Sequence, residues 1–276
     1  MRRGIAILLA GLLAAGVAFA EPIRLTRITH IYGVVPAAED ATKLYLATER
    51  GFFLAGPDGN AEQVSADGAP LLAFARRADG TLLATAGERQ GTLLSRDGGK
   101  TWARFGADGQ PGPFLVIDAA PANPLLAYAV ADGKVYRSGD GGRAWSEAGP
   151  VPAPVVDLAV TSGTPEAIYL GTARGLFRSS DGGRTWALAP IEGSGRAASL
   201  AATLGDGQTY AFVAGTGLVQ LAADGRSWTV LSAPDAFDGA LLHLALRRDG
   251  DLVAVTQFMK LLVSAHRGKT WGPYNR

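Results

Sequence analysis

The octet "SRDGGKTW" at positions 95–102 decides the fold, because the chain repeats it as "SGDGGRAW" at 138–145 and "SSDGGRTW" at 179–186. The tryptophans that end these octets are 43 and 41 residues apart, and the same step leads to two further tryptophans after 42 and 43 residues. All five tryptophans of the chain therefore occupy one position of a repeat of about 42 residues. They are Trp102, Trp145, Trp186, Trp228 and Trp271.

Each repeat contains four short apolar runs separated by turn residues. In 155–188 the runs are "VVDLAV", "IYLGTA", "RGLFRSS" and "TWALA", with Gly, Asp, Ser and Pro between them. Runs of this length, broken by turn residues, predict a four-stranded antiparallel sheet. A degenerate unit without tryptophan, beginning "ITHIYGVV" at Ile28, precedes the five others.

Six such sheets predict an all-β fold, a single six-bladed β-propeller of four-stranded antiparallel blades over residues 21–276. Blades stack around an axis because one twisted sheet cannot bury both of its faces alone, and closure of the ring shields the sheet edges. The stretch "PIRL" at 22–25 predicts an additional outer strand on the sixth blade.

Residues 1–20 are predicted to be a cleaved signal peptide. Arg2 and Arg3 precede an uncharged apolar run, and "AFA" at 18–20 provides the small residues at which signal peptidase cuts. The mature chain then begins near Glu21, contains no further run long enough to span a bilayer, and is expected to be periplasmic or secreted.

Composition excludes several classes of protein. The chain has no cysteine, so neither disulfides nor cysteine-bound metal can stabilise it. Its formal net charge of +1 becomes −1 once Arg2 and Arg3 are removed. A nearly neutral chain does not have the basic surface expected of a nucleic-acid-binding protein.

The octet resembles the Asp-box, also called the bacterial neuraminidase repeat, with the pattern S-x-D-x-G-x-T-W. Two octets match it fully and a third has Ala144 in place of the threonine. The fifth unit keeps only Asp224 and Trp228, and the sixth has His266 at the aspartate position. The matching residues are Ser95, Asp97, Gly99, Thr101 and Trp102; Ser138, Asp140, Gly142 and Trp145; and Ser179, Asp181, Gly183, Thr185 and Trp186.

The resemblance implies a propeller similar to those of sialidases, sortilin and photosystem II assembly factors, with the boxes as structural turns. The opening "THIYGVV" is similar to the first blade of small exported propellers described as glycosyl hydrolase-like, with His30 and Gly33 matching and Tyr32 replacing a second histidine. The catalytic set of sialidases is not recognisable here. Seven arginines lie beside predicted turns and are expected to be solvated: Arg76, Arg77, Arg96, Arg143, Arg184, Arg247 and Arg248.

The first strand of each blade is expected to line the axis. Aligning the six strands predicts one column of residues that face the channel: His30, Ala73, Asp118, Asp157, Ser199 and His243. His30 and His243 become neighbours when the ring closes, and Asp118 and Asp157 lie on adjacent blades. Two imidazoles and two carboxylates in one channel are candidate ligands for a divalent metal such as zinc.

Three interpretations of this column remain open. Its polar side chains bind backbone groups or channel water, or they hold a metal or polar ligand, or they act as general acids and bases. The sequence favours a non-catalytic, exported scaffold that binds a protein partner or small ligand at the axial face through His30, Tyr32, Asp118, Asp157, Ser199 and His243. The alternative is a glycoside hydrolase-like or metal-dependent hydrolase with an axial His/Asp site.

Overall fold

The computed structural model describes residues 21–37, 39–65, 70–85, 92–106, 109–163, 165–191, 195–204, 206–247 and 249–275. The predicted signal peptide at 1–20 and Arg248 therefore lie outside the described residues. The described chain forms six antiparallel sheets in sequence order, and each sheet is a meander in which consecutive strands are hydrogen-bonded neighbours. The predicted six-bladed β-propeller is confirmed.

The strands are numbered along the chain. Blade 1 contains β1 (Ile23–Arg24), β2 (Ile31–Pro36), β3 (Leu44–Thr48), β4 (Gly51–Ala55) and β5 (Asn60–Gln63). Blade 2 contains β6 (Ala73–Arg76), β7 (Leu82–Thr85), β8 (Thr92–Ser95) and β9 (Ala103–Phe105). Blade 3 contains β10 (Val116–Ala119), β11 (Ala127–Ala131), β12 (Lys134–Ser138) and β13 (Ser146–Pro150).

Blade 4 contains β14 (Val155–Val160), β15 (Ile168–Thr172), β16 (Gly175–Ser179) and β17 (Ala187–Leu188). Blade 5 contains β18 (Ala198–Thr203), β19 (Thr209–Val213), β20 (Gly217–Leu221) and β21 (Trp228–Ser232). Blade 6 contains β22 (Leu241–Leu246), β23 (Leu252–Thr256), β24 (Leu261–Ser264) and β25 (Gly272–Pro273). Short 3-10 turns lie at Leu25–Arg27 and Pro234–Ala236. Within the described ranges no helix is long and apolar enough to cross a membrane.

The first strands form the inner wall of a closed ring. Each of β2, β6, β10, β14, β18 and β22 contacts the first strands of both neighbouring blades. The buried apolar residues of the described chain form six clusters, and each cluster is shared by two adjacent blades. Stability therefore depends on the contacts between blades, since no sheet covers its own two faces.

The ring closes without exchange of a strand between the first and last blades. The sequence predicted that 22–25 would add a strand to blade 6, but β1 instead pairs with β5 at the outer edge of blade 1. That prediction was wrong because residues 25–30 connect β1 to β2 within the same blade. The seam between blades 6 and 1 is bridged by side chains instead: the Tyr274 hydroxyl donates to the carbonyl oxygens of Thr42 and Ala55, at 2.5 and 3.1 Å.

The repeated octets form the turns between the third and fourth strands of their blades. In the first octet the Ser95 hydroxyl accepts a hydrogen bond from the Gly99 N–H (2.8 Å) and donates one to Asp97 Oδ1 (2.8 Å). The other oxygen, Asp97 Oδ2, accepts from the Thr101 hydroxyl at 2.6 Å. The octets at 138–145 and 179–186 repeat the serine and aspartate contacts, so each octet satisfies its own turn.

The octet also contacts the preceding blade closely. Gly99 has a φ of +88°, and a Cβ placed there would lie 2.2 Å from the Phe52 ring of blade 1. The carbonyl of Gly142, the equivalent glycine of blade 3, accepts a 2.6 Å hydrogen bond from the Thr92 hydroxyl of blade 2. Glycine is required at this position for its backbone conformation and for this close approach.

The octet tryptophans differ in burial. Trp145 is 9% exposed, lies 4.8 Å from the Phe114 ring centroid, and donates its indole N–H to the Gly142 carbonyl (3.1 Å). Trp186 is half-buried and donates to the Pro150 carbonyl (3.1 Å). These two tryptophans are thus held directly before the fourth strands of their blades.

Candidate functional site

The first strands enclose a central channel of about 690 Å³. Its lining includes all six residues of the predicted column, together with backbone and apolar side chains of β2, β6, β10, β14, β18 and β22. All six predicted residues therefore border the same channel, and their contacts decide what the channel can bind.

Strand pairing corrects the register of the predicted column. The pairing partners on the second strands show which residues of the six first strands lie at the same level. These residues, here named the corrected column, are Gly33, Ala73, Val116, Asp157, Leu200 and His243. The predicted column is thus right for Ala73, Asp157 and His243. It is wrong for the other three: His30 lies three residues before this level, Asp118 two residues after it, and Ser199 one residue before it.

The two channel aspartates connect neighbouring blades through the backbone. Asp118 Oδ2 accepts the N–H of Val160 in blade 4 at 2.8 Å, and Asp157 Oδ2 accepts the N–H of Ala201 in blade 5 at 3.0 Å. In each residue the Oδ1 atom accepts the N–H of the next residue in its own strand, at 2.8 and 2.9 Å. Both carboxyl groups are therefore engaged on both oxygens.

Ser199 and His243 continue this series around the ring. The Ser199 hydroxyl donates to the Leu241 carbonyl of blade 6 at 2.7 Å, and His243 Nε2 lies 2.9 Å from the Ile31 carbonyl of blade 1. A carbonyl oxygen only accepts, so Nε2 carries the proton and the neutral ring keeps Nδ1 unprotonated. Four consecutive junctions, from blade 3 round to blade 1, thus have one polar side chain each that reaches the next inner strand.

Burial in the channel shifts the titration of these groups. Desolvation raises the pKa of Asp118 to about 7 and that of Asp157 to about 8, against the lowering effect of the backbone donors. Desolvation also lowers the pKa of His243 to about 4. At neutral pH the histidine is uncharged and the carboxyl groups lie close to their titration range, so the channel has little fixed charge.

The predicted metal ligands do not converge. His30 lies before β2 and is exposed, where its ring stacks on Tyr32 at a centroid distance of 6.2 Å. His243 is bound to the backbone of blade 1, and Asp118 and Asp157 are bound to blades 4 and 5. Among the residues that the structure describes, no group of three or more His, Asp or Glu side chains has a geometry that could hold a metal ion.

Glu49 organises the segment that carries His30. Its Oε1 atom accepts the Thr29 N–H at 3.1 Å and the Thr29 hydroxyl at 3.0 Å, while Oε2 accepts the His30 N–H at 3.0 Å. The carboxylate therefore caps the backbone that leads into β2. These backbone and side-chain donors lower the pKa of Glu49 despite its partial burial. No sequence pattern indicates this role, because Glu49 follows β3 whereas His30 precedes β2.

One end of the channel has a ring of mostly apolar side chains, here named the mouth ring. Its members are Tyr32, Leu72, Leu115, Val156, Ser199 and Leu242, one from each blade at the level just before the corrected column. In four blades a register shift in the strand pairing isolates this residue between two paired ones. A β-bulge of this kind turns a side chain away from the regular pleat.

The mouth ring is open to solvent. None of its six residues is buried, and Leu115 is 58% exposed. Beside it, in the turn between β23 and β24, Met259 lines the channel and Phe258 is exposed. The apolar surface therefore continues from the channel onto the surface of blade 6.

Two arginines that directly follow the inner strands of their blades are structural rather than solvated. Arg77 is 8% exposed and its Nε donates to the Pro124 carbonyl of blade 3 at 2.9 Å. Arg247, at the equivalent place in blade 6, donates its Nε to the Ala41 carbonyl of blade 1 at 2.7 Å. The prediction that both are solvated was wrong, because their guanidinium groups reach across a blade junction.

Comparison with known proteins yields likeness at the level of structure. No family model matches the chain, and no curated protein matches it. The structure of YCF48 bound to a D1 peptide superposes with a TM-score of 0.58 and 17% identity, covering 92% of this chain and 84% of that one. Virginiamycin B lyase from Staphylococcus aureus gives a TM-score of 0.59 and 13% identity, covering 94% of this chain and 89% of that one.

A GH74 enzyme from Niastella koreensis has a TM-score of 0.59 and 17% identity, and the match covers 89% of this chain and 45% of that one. These neighbours include a protein with a bound peptide and two enzymes. At such low identity they share the β-propeller fold with this chain, and their activities do not transfer with the fold.

Proposed function

We propose that this protein is a non-catalytic binding scaffold that holds a segment of a protein partner at the mouth ring. The observation that carries the proposal is the division of the channel into an open apolar rim and an interior whose polar side chains are bound to the backbone. The described acid and base groups of the predicted column that line the interior, Asp118, Asp157 and His243, already contact inner strands of neighbouring blades. An exposed apolar patch at a concave site is typical of a surface that binds a partner.

The likeness to YCF48 bound to a D1 peptide supports a peptide segment as the bound species. That propeller has a similar size, since most of each chain is covered by the match. The likeness extends to the fold, so the choice of the mouth ring depends on the contacts of this chain and not on that neighbour.

The same proposal includes the compartment and the identity of the octets. We infer that residues 1–20 direct export and that the scaffold works in the periplasm or outside the cell. The serine, aspartate and glycine hydrogen bonds of the octets support their assignment as Asp-boxes with a structural role. A cell-fractionation experiment with a C-terminal tag, together with the N-terminal sequence of the mature protein, tests the export step.

The partner is sought with a matched pair of variants in one blade. Leu115 and Leu125 are exposed to similar extents, 58% and 53%, but Leu115 belongs to the mouth ring and Leu125 follows the first strand at the opposite end of the blade. Tagged wild type, Leu115→Asp and Leu125→Asp are cross-linked in cells, and the recovered proteins are identified by mass spectrometry. A specific partner is expected with wild type and Leu125→Asp and is expected to be lost with Leu115→Asp.

The purified partner must then reproduce this pattern in a direct binding measurement. Equal binding to the Leu115→Asp variant would exclude the mouth ring as the binding surface. A hydrolase, the alternative considered from the sequence, needs an acid or base that is free to transfer protons. Turnover of a glycoside or lactone substrate that is lost with Asp157→Asn would favour that alternative over the scaffold.

A further inference from the structure

We propose that the mouth ring is an anchor pocket for one bulky, uncharged apolar side chain, presented by an extended segment of the partner protein. This inference rests on the proposed function and adds the chemistry of the bound segment. It follows from the position of the bulges, the composition of the mouth ring and the state of the polar groups beneath it.

The position of the bulges shows that the mouth ring is a repeated feature of the blades. In blades 1, 4, 5 and 6 the extra residue lies at the same level, between the first paired residue of the inner strand and the corrected column. In blade 3 the Leu115 N–H donates to the carbonyl of Val130, and Val130 is also the pairing partner of Val116, so two residues of the inner strand lie opposite one. In blade 2 the Leu72 N–H binds the Thr85 carbonyl in the same way. Each blade therefore brings one side chain to the channel end outside the regular alternation.

The composition of the mouth ring selects an apolar ligand group. Five of its six members carry large apolar or aromatic side chains, and the sixth, Ser199, has its hydroxyl committed to the Leu241 carbonyl. An apolar group that enters the mouth ring removes its own surface and that of the surrounding side chains from water. Apart from the Tyr32 hydroxyl, these six side chains offer no uncommitted polar donor, so a charged group there would lose most of its water contacts without compensation.

The layer beneath the mouth ring excludes charge. Asp157 and His243 lie one residue deeper along their strands, and both are bound to the inner strand of the next blade. Burial keeps His243 neutral and favours the protonated form of Asp157 at neutral pH, so neither offers a stable opposite charge. A charged side chain placed in the channel would therefore lose its hydration without a fixed opposite charge beside it, and a lysine or arginine could pair only if Asp118 or Asp157 ionised.

The extent of the apolar surface favours an extended segment over a small molecule. The surface does not end at the channel, because Met259 lines it and the neighbouring Phe258 is exposed on the turn between β23 and β24. A segment with one side chain in the mouth ring could lay its next residues against this turn. Methionine side chains adapt to varied apolar partners, which suits a bound peptide.

The test is a selection from a library of random linear peptides displayed on phage, with the full mature chain as the target. Peptides are expected to share one Leu, Ile, Met or Phe without a charged residue beside it. Replacing that residue by Asp in a synthetic peptide is expected to weaken binding by roughly tenfold or more, as for the central anchor of an interface. Binding is measured by fluorescence anisotropy of the labelled peptide.

A second matched pair of variants locates the bound peptide. Val156 in the mouth ring and Val230 on the outer strand β21 are both exposed. Val156→Asp is expected to weaken peptide binding roughly tenfold and Val230→Asp less than about twofold. Val156→Thr, which keeps the shape of the side chain, is a second variant for the case in which Val156→Asp does not fold, and it is expected to weaken binding about threefold or more.

Four results would overturn the inference: no peptide is selected, the selected peptides need no apolar residue, they bind both valine variants equally, or a second copy of this chain occupies the mouth ring. The last is detected as a dimer in sedimentation that dissociates in Val156→Asp. If a protein partner depends on Leu115 but the peptides need no apolar residue, this inference alone fails. If no partner depends on Leu115, the proposed function fails as well.

Discussion

His243 Nε2 lies 2.9 Å from the carbonyl oxygen of Ile31, so the inner strand of the last blade is hydrogen-bonded to the inner strand of the first. The Ile31 N–H in turn contacts the sulfur of Met259, again across the seam between these blades (3.3 Å). Arg247 and Tyr274 add two further contacts between the ends of the described chain. Because β1 and β25 stay within their own blades, these side chains replace the exchanged strand that would otherwise close the ring.

The Tyr274 hydroxyl is expected to contribute measurably to ring closure. Tyr274→Phe keeps the buried ring but removes the hydrogen bonds to the carbonyls of Thr42 and Ala55. The loss should lower the free energy of unfolding by about 1–2 kcal/mol, because the buried Ala55 carbonyl loses a donor and the contact with Thr42 across the seam is removed. Chemical denaturation with urea measures the change. Tyr136→Phe, in a half-buried tyrosine of β12, is the control and should cost less than about 0.5 kcal/mol.

The number and order of the blades could be predicted from sequence because the octet gives each blade a fixed marker. Each marker residue has a local partner, as in the Ser95, Asp97 and Gly99 contacts, so the pattern requires no knowledge of the tertiary structure. Residues 22–25 have no such local marker, so the sheet that they join was not predicted correctly. A strand of two residues has too short a pattern to distinguish the outer edge of blade 1 from that of blade 6.

The register of the inner strands could not be predicted for a different physical reason. These strands are covered on both faces, so the alternation of apolar and polar residues that normally fixes register is weak. Bulges then displace Ser199 and Tyr32 by one residue from a regular strand. The contacts of Asp118, Asp157 and Arg77 with the backbone of the next blade depend on tertiary structure, and sequence alone showed only their residue types.

Trp145 is expected to be more important for stability than Trp186. Trp145→Ala removes a buried indole that contacts Phe114 and donates to Gly142, and should lower the free energy of unfolding by about 3–5 kcal/mol. Trp186 is half-buried, so Trp186→Ala should cost less than half as much. Thermal and urea unfolding of the two variants measure the difference. An equal or larger effect of Trp186→Ala would contradict the unequal burial.

The stability of the folded protein is expected to fall between about pH 6.5 and 8 because of Asp157. Its pKa is raised from 3.8 to about 8 in the folded state, so the folded protein binds more protons than the unfolded chain in this range. Stability associated with such a group is present at low pH and is lost as pH rises through the folded pKa. Urea unfolding of Asp157→Asn, measured across this range, should show a flatter dependence on pH than wild type.

Asp118, with a pKa raised to about 7, contributes in the same direction and should leave a reduced slope in this variant. Asp181→Asn is the matched control. Donors from Thr185 and Ser179 lower the pKa of Asp181, so its charge is unchanged in the measured range and its variant should keep the wild-type slope. If Asp157→Asn and Asp181→Asn have the same slope, Asp157 does not titrate in the channel as inferred.

His243 is expected to give the opposite dependence at lower pH. Burial lowers its pKa from 6.5 to about 4, so the unfolded chain binds more protons than the folded protein between these values. Stability associated with the neutral imidazole is therefore lost as pH falls from 6.5 towards 4. His243→Gln keeps an amide donor for the Ile31 carbonyl but does not titrate, so its stability relative to wild type should increase as pH falls over this range. Urea midpoints at several pH values measure the difference between the two proteins, which removes the overlapping contribution of Asp157.

His30→Gln, at an exposed position beside the same seam, is the control. A wild-type slope in His243→Gln, or the same change of slope in His30→Gln, would contradict the assignment of the acid-sensitive contact to His243 and Ile31.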